Sequence, residues 1–210
     1  MTDFDLEDEC RGRGCRTIAG IDEAGRGALF GPVVAAAVIL PLDALRGRDG
    51  PAWAGRVRDS KLLTPNARRR LFVEIRAAAR AVGVGWAGQA EVDRLNIYWA
   101  SLLAMRRAVE RLSVRPDILL VDGFALKDVQ YPQKAVPHGD RKSVSIAAAS
   151  IVAKVVRDGM MDFLNEVYGG YGLARNKGYG TAAHYRALRE RGATPFHRAS
   201  FNLKLGSDAS

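Results

Sequence analysis

The chain has 210 residues, 48% hydrophobic and 26% charged, the balance of one ordinary globular domain rather than a disordered or fibrous chain. No window approaches 18 uninterrupted apolar residues, and the opening Met-Thr-Asp-Phe-Asp-Leu-Glu-Asp-Glu is acidic where a secretion signal would be basic and then apolar, so neither a membrane protein nor a secreted mini-protein is expected. Net charge is +9, yet residues 1–9 hold five acids and no base, which leaves the remaining body more basic still and suited to a polyanionic partner. Cys10 and Cys15 lack the companions of a structural zinc site and fit a reducing, cytoplasmic setting.

Residues 1–16 read as an acidic, disordered tail and 17–205 as a single domain. Thr17 to Asp22 alternates like a short strand, a glycine-punctuated turn follows over 23–32, and Val33 to Leu40 reads as a second strand antiparallel to the first. Residues 41–58 are loop-like. Thr64-Pro65 starts an amphipathic helix whose apolar face carries Leu71, Phe72, Ile75, Ala79 and Val82. A third strand is expected over 82–87, and one or two helices over 90–112 with a stripe of Leu102, Met105, Val109 and Leu112. Asp117 to Asp122 reads as a buried parallel strand, 124–142 as loop with room for another short strand, 143–166 as the longest helix, and Thr181 to Arg191 as the last. The small residues Ser145, Ala148, Ala149, Ser150 and Ala153 would let the long helix lie close on a sheet. The sum is an α/β domain with a mixed sheet.

The chemistry concentrates at strand ends. Asp22 and Glu23 end the first strand and Asp122 ends a neighbouring central one. Several such carboxylates raise one another's pKa unless a divalent cation holds them ionised, and oxygen donors alone suit Mg²⁺ or Mn²⁺. The alternative for each acid is a helix cap or an ion pair with one of the 32 basic residues. Gly25-Arg26-Gly27, three residues on, would offer bare backbone N–H groups beside a guanidinium, although the same triplet is an ordinary turn. His138, His184 and His197 are isolated along the sequence and read as surface or capping residues.

The string Ile21-Asp22-Glu23-Ala24-Gly25-Arg26-Gly27 with Phe30-Gly31-Pro32 resembles the opening motif of bacterial ribonuclease HII. The resemblance runs on through Asp59-Ser60-Lys61-Leu62, Val121-Asp122-Gly123, Gly139-Asp140, Ser145 to Lys154 with Arg157-Asp158, Lys177-Gly178-Tyr179-Gly180-Thr181, and His197-Arg198-Ala199-Ser200-Phe201. It implies a ribonuclease H-like fold: a mixed five-stranded sheet flanked by helices, with a helical C-terminal part. It implies a metal site of Asp22, Glu23, Asp122 and Asp140, with Asp158 the competitor for the fourth place and otherwise a partner of a nearby base. It also implies substrate contacts from Gly25, Arg26, Gly27, Ser60, Lys61 and Tyr179; on the residues alone, Tyr179 could equally be a packing tyrosine and Lys61 a solvated lysine. Gly180 stands where many relatives have proline, so a more flexible loop is expected there.

The implied activity is hydrolysis on the 5′ side of ribonucleotides in RNA–DNA hybrids and in DNA with embedded ribonucleotides, leaving 3′-hydroxyl and 5′-phosphate. Two divalent ions would activate water and neutralise phosphate. A monomer with no membrane association is expected. The competing readings are another two-metal nuclease of the same fold class, junction-resolvase-like, and a non-catalytic basic module that binds nucleic acid.

Overall fold

The computed structural model describes residues 4–45, 52–57 and 63–205. In chain order the elements are α1 (Asp5–Gly12), β1 (Ile18–Ala24), β2 (Val33–Ile39), α2 (Ala52–Arg56), α3 (Pro65–Ala78), β3 (Ala81–Ala87), α4 (Gln89–Glu110), β4 (Ile118–Asp122), β5 (Gln133–Val136), α5 (Val144–Val167), α6 (Leu173–Asn176) and α7 (Ala182–Arg191). The strands form one mixed sheet in the order β3-β2-β1-β4-β5. β1 pairs antiparallel with β2, and β2 with β3, while β4 runs parallel to both β1 and β5.

β1 and β2 are central strands covered on both faces, which is why they read as near-continuous apolar runs. Period-2 alternation then divides their side chains between two cores. Ala36, Val38 and Leu40 join the small face of α5, with Leu71 and Ile75 of α3. Ala19, Ile21, Val33, Ala35, Ala37 and Ile39 meet Leu102, Met105 and Val109 of α4. The helices come close because the strands carry glycine at the contacts. A Cβ on Gly20 would lie 2.0 Å from the Ser145 backbone carbon, and one on Gly83 2.0 Å from the Ala108 carbonyl oxygen.

The helix expected over 90–112 is one element with a break. Asn96 has φ +64°, and its Oδ1 accepts from the N–H groups of Tyr98 (2.9 Å) and Trp99 (3.3 Å), so it caps the second segment from within. Thr64 and Thr181 cap α3 and α7 through their hydroxyls. A third core, built on Leu29, Phe30, Met161, Leu164, Tyr171 and Leu188, joins the C-terminal helices to the end of α5.

Two fold expectations are corrected. Residues 41–58, expected to be loop-like, contain the short helix α2 among the described residues. The segment 1–16 contains the helix α1 rather than a disordered tail, and Glu7 on it is fully buried.

Candidate active site

Parallel pairing sets Ile21 of β1 beside Val121 of β4, so the two strands present their terminal acids at the same end of the sheet. One carboxylate oxygen from each of Asp22, Glu23 and Asp122 lies within 4.8 Å of the others, the single such group of acids, histidines or cysteines among the described residues. Burial is the largest influence on Asp22 and, with the charges of Glu23 and Asp122, pushes its pKa well above the usual carboxylate range; hydrogen bonds from the Glu23 backbone and the Ser150 side chain oppose this. Burial also raises Glu23, against the pull of Arg26, whose guanidinium lies 3.2 Å from Glu23 Oε1. Like-signed oxygens forced together in this way, with no thiolate or imidazole among them, fit a hard divalent cation.

Asp140 lies outside that trio. It is buried on a single 3-10 turn, Gly139–Arg141, whose Gly139 N–H donates to Asp122 Oδ1 at 2.6 Å. Asp158 pairs with Lys154 of the preceding helical turn at 2.7 Å. Ser60 and Lys61 fall outside the described residues.

Beside the acids opens a cleft of about 380 Å³ lined by Glu23, Gly25, Arg26, Gly27 and Tyr179, together with Arg68 of α3 and Ser150 and Lys154 of α5. Four of the six residues expected to touch substrate therefore share one wall. Gly25 has φ +95°, and a Cβ there would lie 1.9 Å from Arg157 Nε, so both its conformation and the close approach require glycine. Arg157, fully buried, donates to the carbonyls of Pro32 (3.0 Å), Lys177 (2.8 Å) and Phe30 (3.1 Å). Arg198 donates to those of Gly31 and Arg26, both at 2.9 Å, and burial next to Arg157 pulls its pKa down to about 9. The two guanidiniums thus tie the glycine turn to the loop of Tyr179 and to the C-terminal segment. Bridges Ala28–Tyr179 and Phe30–His197 complete the join.

Arg157 and Arg198 stand within the motifs that carry the resemblance, but their buried clamp on backbone carbonyls was not legible there, because arginine reads as solvated. Sequence reasoning also missed Arg68, Ser150 and Lys154 as cleft residues, since contact with the turn depends on how α3 and α5 pack. The Tyr179 loop is held at several points rather than loose: Tyr179 N–H donates to Asn176 O (3.0 Å), Thr181 N–H donates to Tyr179 O (2.8 Å), and a Cβ on Gly180 would meet the Tyr185 ring at 2.9 Å. Lys154 Nζ and Arg157 Cζ stand 5.6 and 5.4 Å from the centroid of the Tyr179 ring.

The histidine expectation holds for His138, which is exposed, and is corrected for the other two. His184 and His197 are buried with their Nε2 atoms 3.2 Å apart. The bonding fixes the tautomers. His184 Nδ1–H donates to Tyr179 O at 3.0 Å, so its Nε2 is the acceptor for His197 Nε2–H, and His197 Nδ1 accepts from Thr194 N–H at 2.9 Å. Both rings are neutral in this arrangement. Burial depresses both pKa values, that of His197 to about 4 with the help of His184. Below about pH 6.5 the unfolded chain therefore binds protons that the fold excludes, so the pair's contribution to stability is complete above that pH and declines down to about 4. Urea midpoints measured across that range should fall more steeply for the wild type than for His197→Asn.

Acids at the shared end of adjacent parallel strands, on a sheet of this order, make the chain a metal-dependent nuclease of the ribonuclease H-like class. The chain belongs to the ribonuclease HII family, whose model, Ribonuclease HII, matches residues 19–204. Ribonuclease HII of Geobacter sulfurreducens is 52% identical over 198 residues, covering 94% of this chain and 88% of that protein. Among solved structures, ribonuclease H2 from Pyrococcus horikoshii superposes with a TM-score of 0.73 at 25% identity, covering 89% of this chain and 94% of that one. The RNase HII of the PCNA:RNase HII complex from Archaeoglobus fulgidus does so with 0.72 at 28%, covering 90% and 98%.

Proposed function

We propose that this chain hydrolyses the phosphodiester on the 5′ side of ribonucleotides, both in RNA–DNA hybrids and at single ribonucleotides embedded in duplex DNA, leaving a 3′-hydroxyl and a 5′-phosphate. The observation that carries this reading is the adjacency of the three-carboxylate group to the cleft walled by Gly25, Arg26, Gly27 and Tyr179. Asp22, Glu23 and Asp122, joined by Asp140 from the neighbouring turn, would hold Mg²⁺ or Mn²⁺. Bound there, such ions supply an activated water and offset charge on the scissile phosphate.

The protein's own groups select and orient the substrate. The 2′-hydroxyl is both donor and acceptor, which suits the backbone of the glycine turn that lines the cleft. Arg26 is tethered to Glu23, so its guanidinium is aimed along the same wall as the acids. The Tyr179 ring, with Lys154 and Arg157 near it, would stand against the sugar of the following deoxynucleotide, where a second 2′-hydroxyl would crowd it. Arg68 and Lys154 would meet backbone phosphates without reading sequence. No helix among the described residues is long and apolar enough to cross a membrane. A monomer acting in the cytoplasm is part of the same proposal.

The test is a duplex carrying one ribonucleotide, incubated with Mn²⁺ or with excess EDTA. One cut, 5′ to the ribonucleotide and only with metal, is expected; cutting in EDTA, or equal cutting of an all-DNA duplex, contradicts the proposal. Arg26→Ala should lower the preference for the ribonucleotide over plain DNA about 10- to 100-fold, the scale of one hydrogen bond to a charged group. An unchanged ratio of kcat/KM values for the two duplexes would remove Arg26 from recognition.

A further inference from the structure

α1 is a polar helix, yet it places a carboxylate in the interior. Glu7 is 0% exposed. Its Oε1 accepts from Ser143 Oγ at 2.5 Å and from the Ser145 N–H at 3.0 Å, across a gap of more than 130 residues in sequence. Ser143 already caps α5, its hydroxyl oxygen accepting from the Ile146 N–H at 3.1 Å. Glu7 serves a second donor of the same first turn, the Ser145 N–H, so it shares in capping α5.

Beyond this cap, Glu7 adds a connection. Ser143 N–H donates to Gly139 O at 2.9 Å, and Gly139 N–H donates to Asp122 Oδ1 at 2.6 Å. Three hydrogen bonds thus link the buried Glu7 to Asp122 through Ser143 and Gly139. Asp140 is the next residue on the same turn. The turn has little room to shift: a Cβ on Gly139 would lie 2.5 Å from the Ile146 side chain and 3.3 Å from Asp122 Oδ1. α1 is pinned at a second point, where Lys134 Nζ on β5 lies 2.6 Å from Glu9 Oε2. β5 in turn pairs with β4 up to Asp122 itself.

We propose that Glu7 is a positioning residue for the metal site: it holds Ser143 and the start of α5, and through them the Gly139–Asp140 turn that orients Asp122 and carries Asp140. The proposal rests on the reading of Asp122 and Asp140 as ligands. It makes the N-terminal helix a working part of the enzyme, because a turn free to drift would let two of the four acids leave the arrangement that a divalent ion needs. Partners that orient ligands in this way typically contribute 10- to 100-fold to metal affinity.

The experiment is calorimetric titration of the whole protein with Mn²⁺, without substrate and well below the melting temperature, for wild type, Glu7→Ala, Glu7→Gln and Ser143→Ala. Glu7→Ala should weaken Mn²⁺ binding about 10-fold or more, and Glu7→Gln, which keeps the accepting oxygen, should recover most of the loss. Ser143→Ala cuts the path at its middle, leaves the Glu7 to Ser145 bond in place, and guards against failure of Glu7→Ala to fold. It should weaken binding as well. KM for the duplex should stay near the wild-type value in all three, since the path does not reach the substrate cleft. A lowered melting temperature with unchanged Mn²⁺ affinity in Glu7→Ala and Ser143→Ala would overturn the proposal and leave Glu7 a structural residue. A wild type that takes up no divalent ion would instead overturn the ligand reading beneath it.

Discussion

Asp22→Asn is expected to abolish cleavage, by roughly three orders of magnitude or more, and at the same time to raise the melting temperature of the metal-free protein. The first effect would follow from losing a proposed oxygen ligand of the metal, worth about 4 kcal/mol or more of transition-state stabilisation. The second follows from the cost of the cluster. Asp22 is 6% exposed and held beside Glu23 and Asp122, so its carboxyl is pushed well above the usual range by burial first and by its neighbours' charges second. Between the ordinary carboxylate pKa of about 4 and this raised value the folded state binds more protons than the unfolded chain, so stability falls as pH rises through that window. An amide has no such titration. The stability advantage of the variant should therefore open as pH rises; a gain of about 1 kcal/mol would appear as roughly 2–4 °C. Added Mn²⁺ should stabilise the wild type and close or reverse the difference. Differential scanning calorimetry of both proteins, with and without Mn²⁺, checks this. A variant that melts below the wild type in EDTA would show that the acids are not strained against one another.

Arg157→Met should have the largest effect on the fold. The guanidinium is fully buried and serves three backbone carbonyls from two loops, Phe30 and Pro32 on one and Lys177 on the other. Methionine fills much of the space but leaves all three acceptors without that donor, at an expected cost of roughly 3–5 kcal/mol. Lysine would not restore them, because a single ammonium cannot present the planar fork that reaches three oxygens. Gly25 packs directly on Arg157 Nε and Tyr179 follows Lys177 by two residues, so the cleft should loosen with the clamp. Urea denaturation would give the loss of stability. In the folded fraction, KM for a duplex with one ribonucleotide should rise more than kcat falls. Wild-type stability in Arg157→Met would mean that water or other groups satisfy those carbonyls.

The elements were legible wherever one physical signal dominated. The alternation of β1, the continuous apolar run of β2, the proline and threonine that open α3, and the small residues of α5 each predict what the structure contains. Asp22, Glu23 and Asp122 were legible only as a group. Each acid alone could cap a helix or pair with a base, but an adjacent pair and a second strand-terminal acid converging on one sheet edge favour a cation. Features that depend on tertiary approach were not. α1 hides behind five acids, and its only apolar signal is Leu6 and Cys10 at helical spacing. The burial of Glu7 depends on a serine on the far side of the sequence. His184 and His197 look solitary along the chain and meet only because α7 and the last segment fold back on Phe30. Arg157 and Arg198 follow the same logic: no periodicity reveals an arginine whose partners are backbone carbonyls.

The most direct measurement is anomalous diffraction from crystals of the wild-type protein grown with Mn²⁺. Manganese is expected at the carboxylates of Asp22, Glu23 and Asp122, at the mouth of the cleft formed by Gly25, Arg26, Gly27 and Tyr179. Manganese seated elsewhere, or none at these acids under conditions where the same preparation cleaves its substrate, would contradict this assignment.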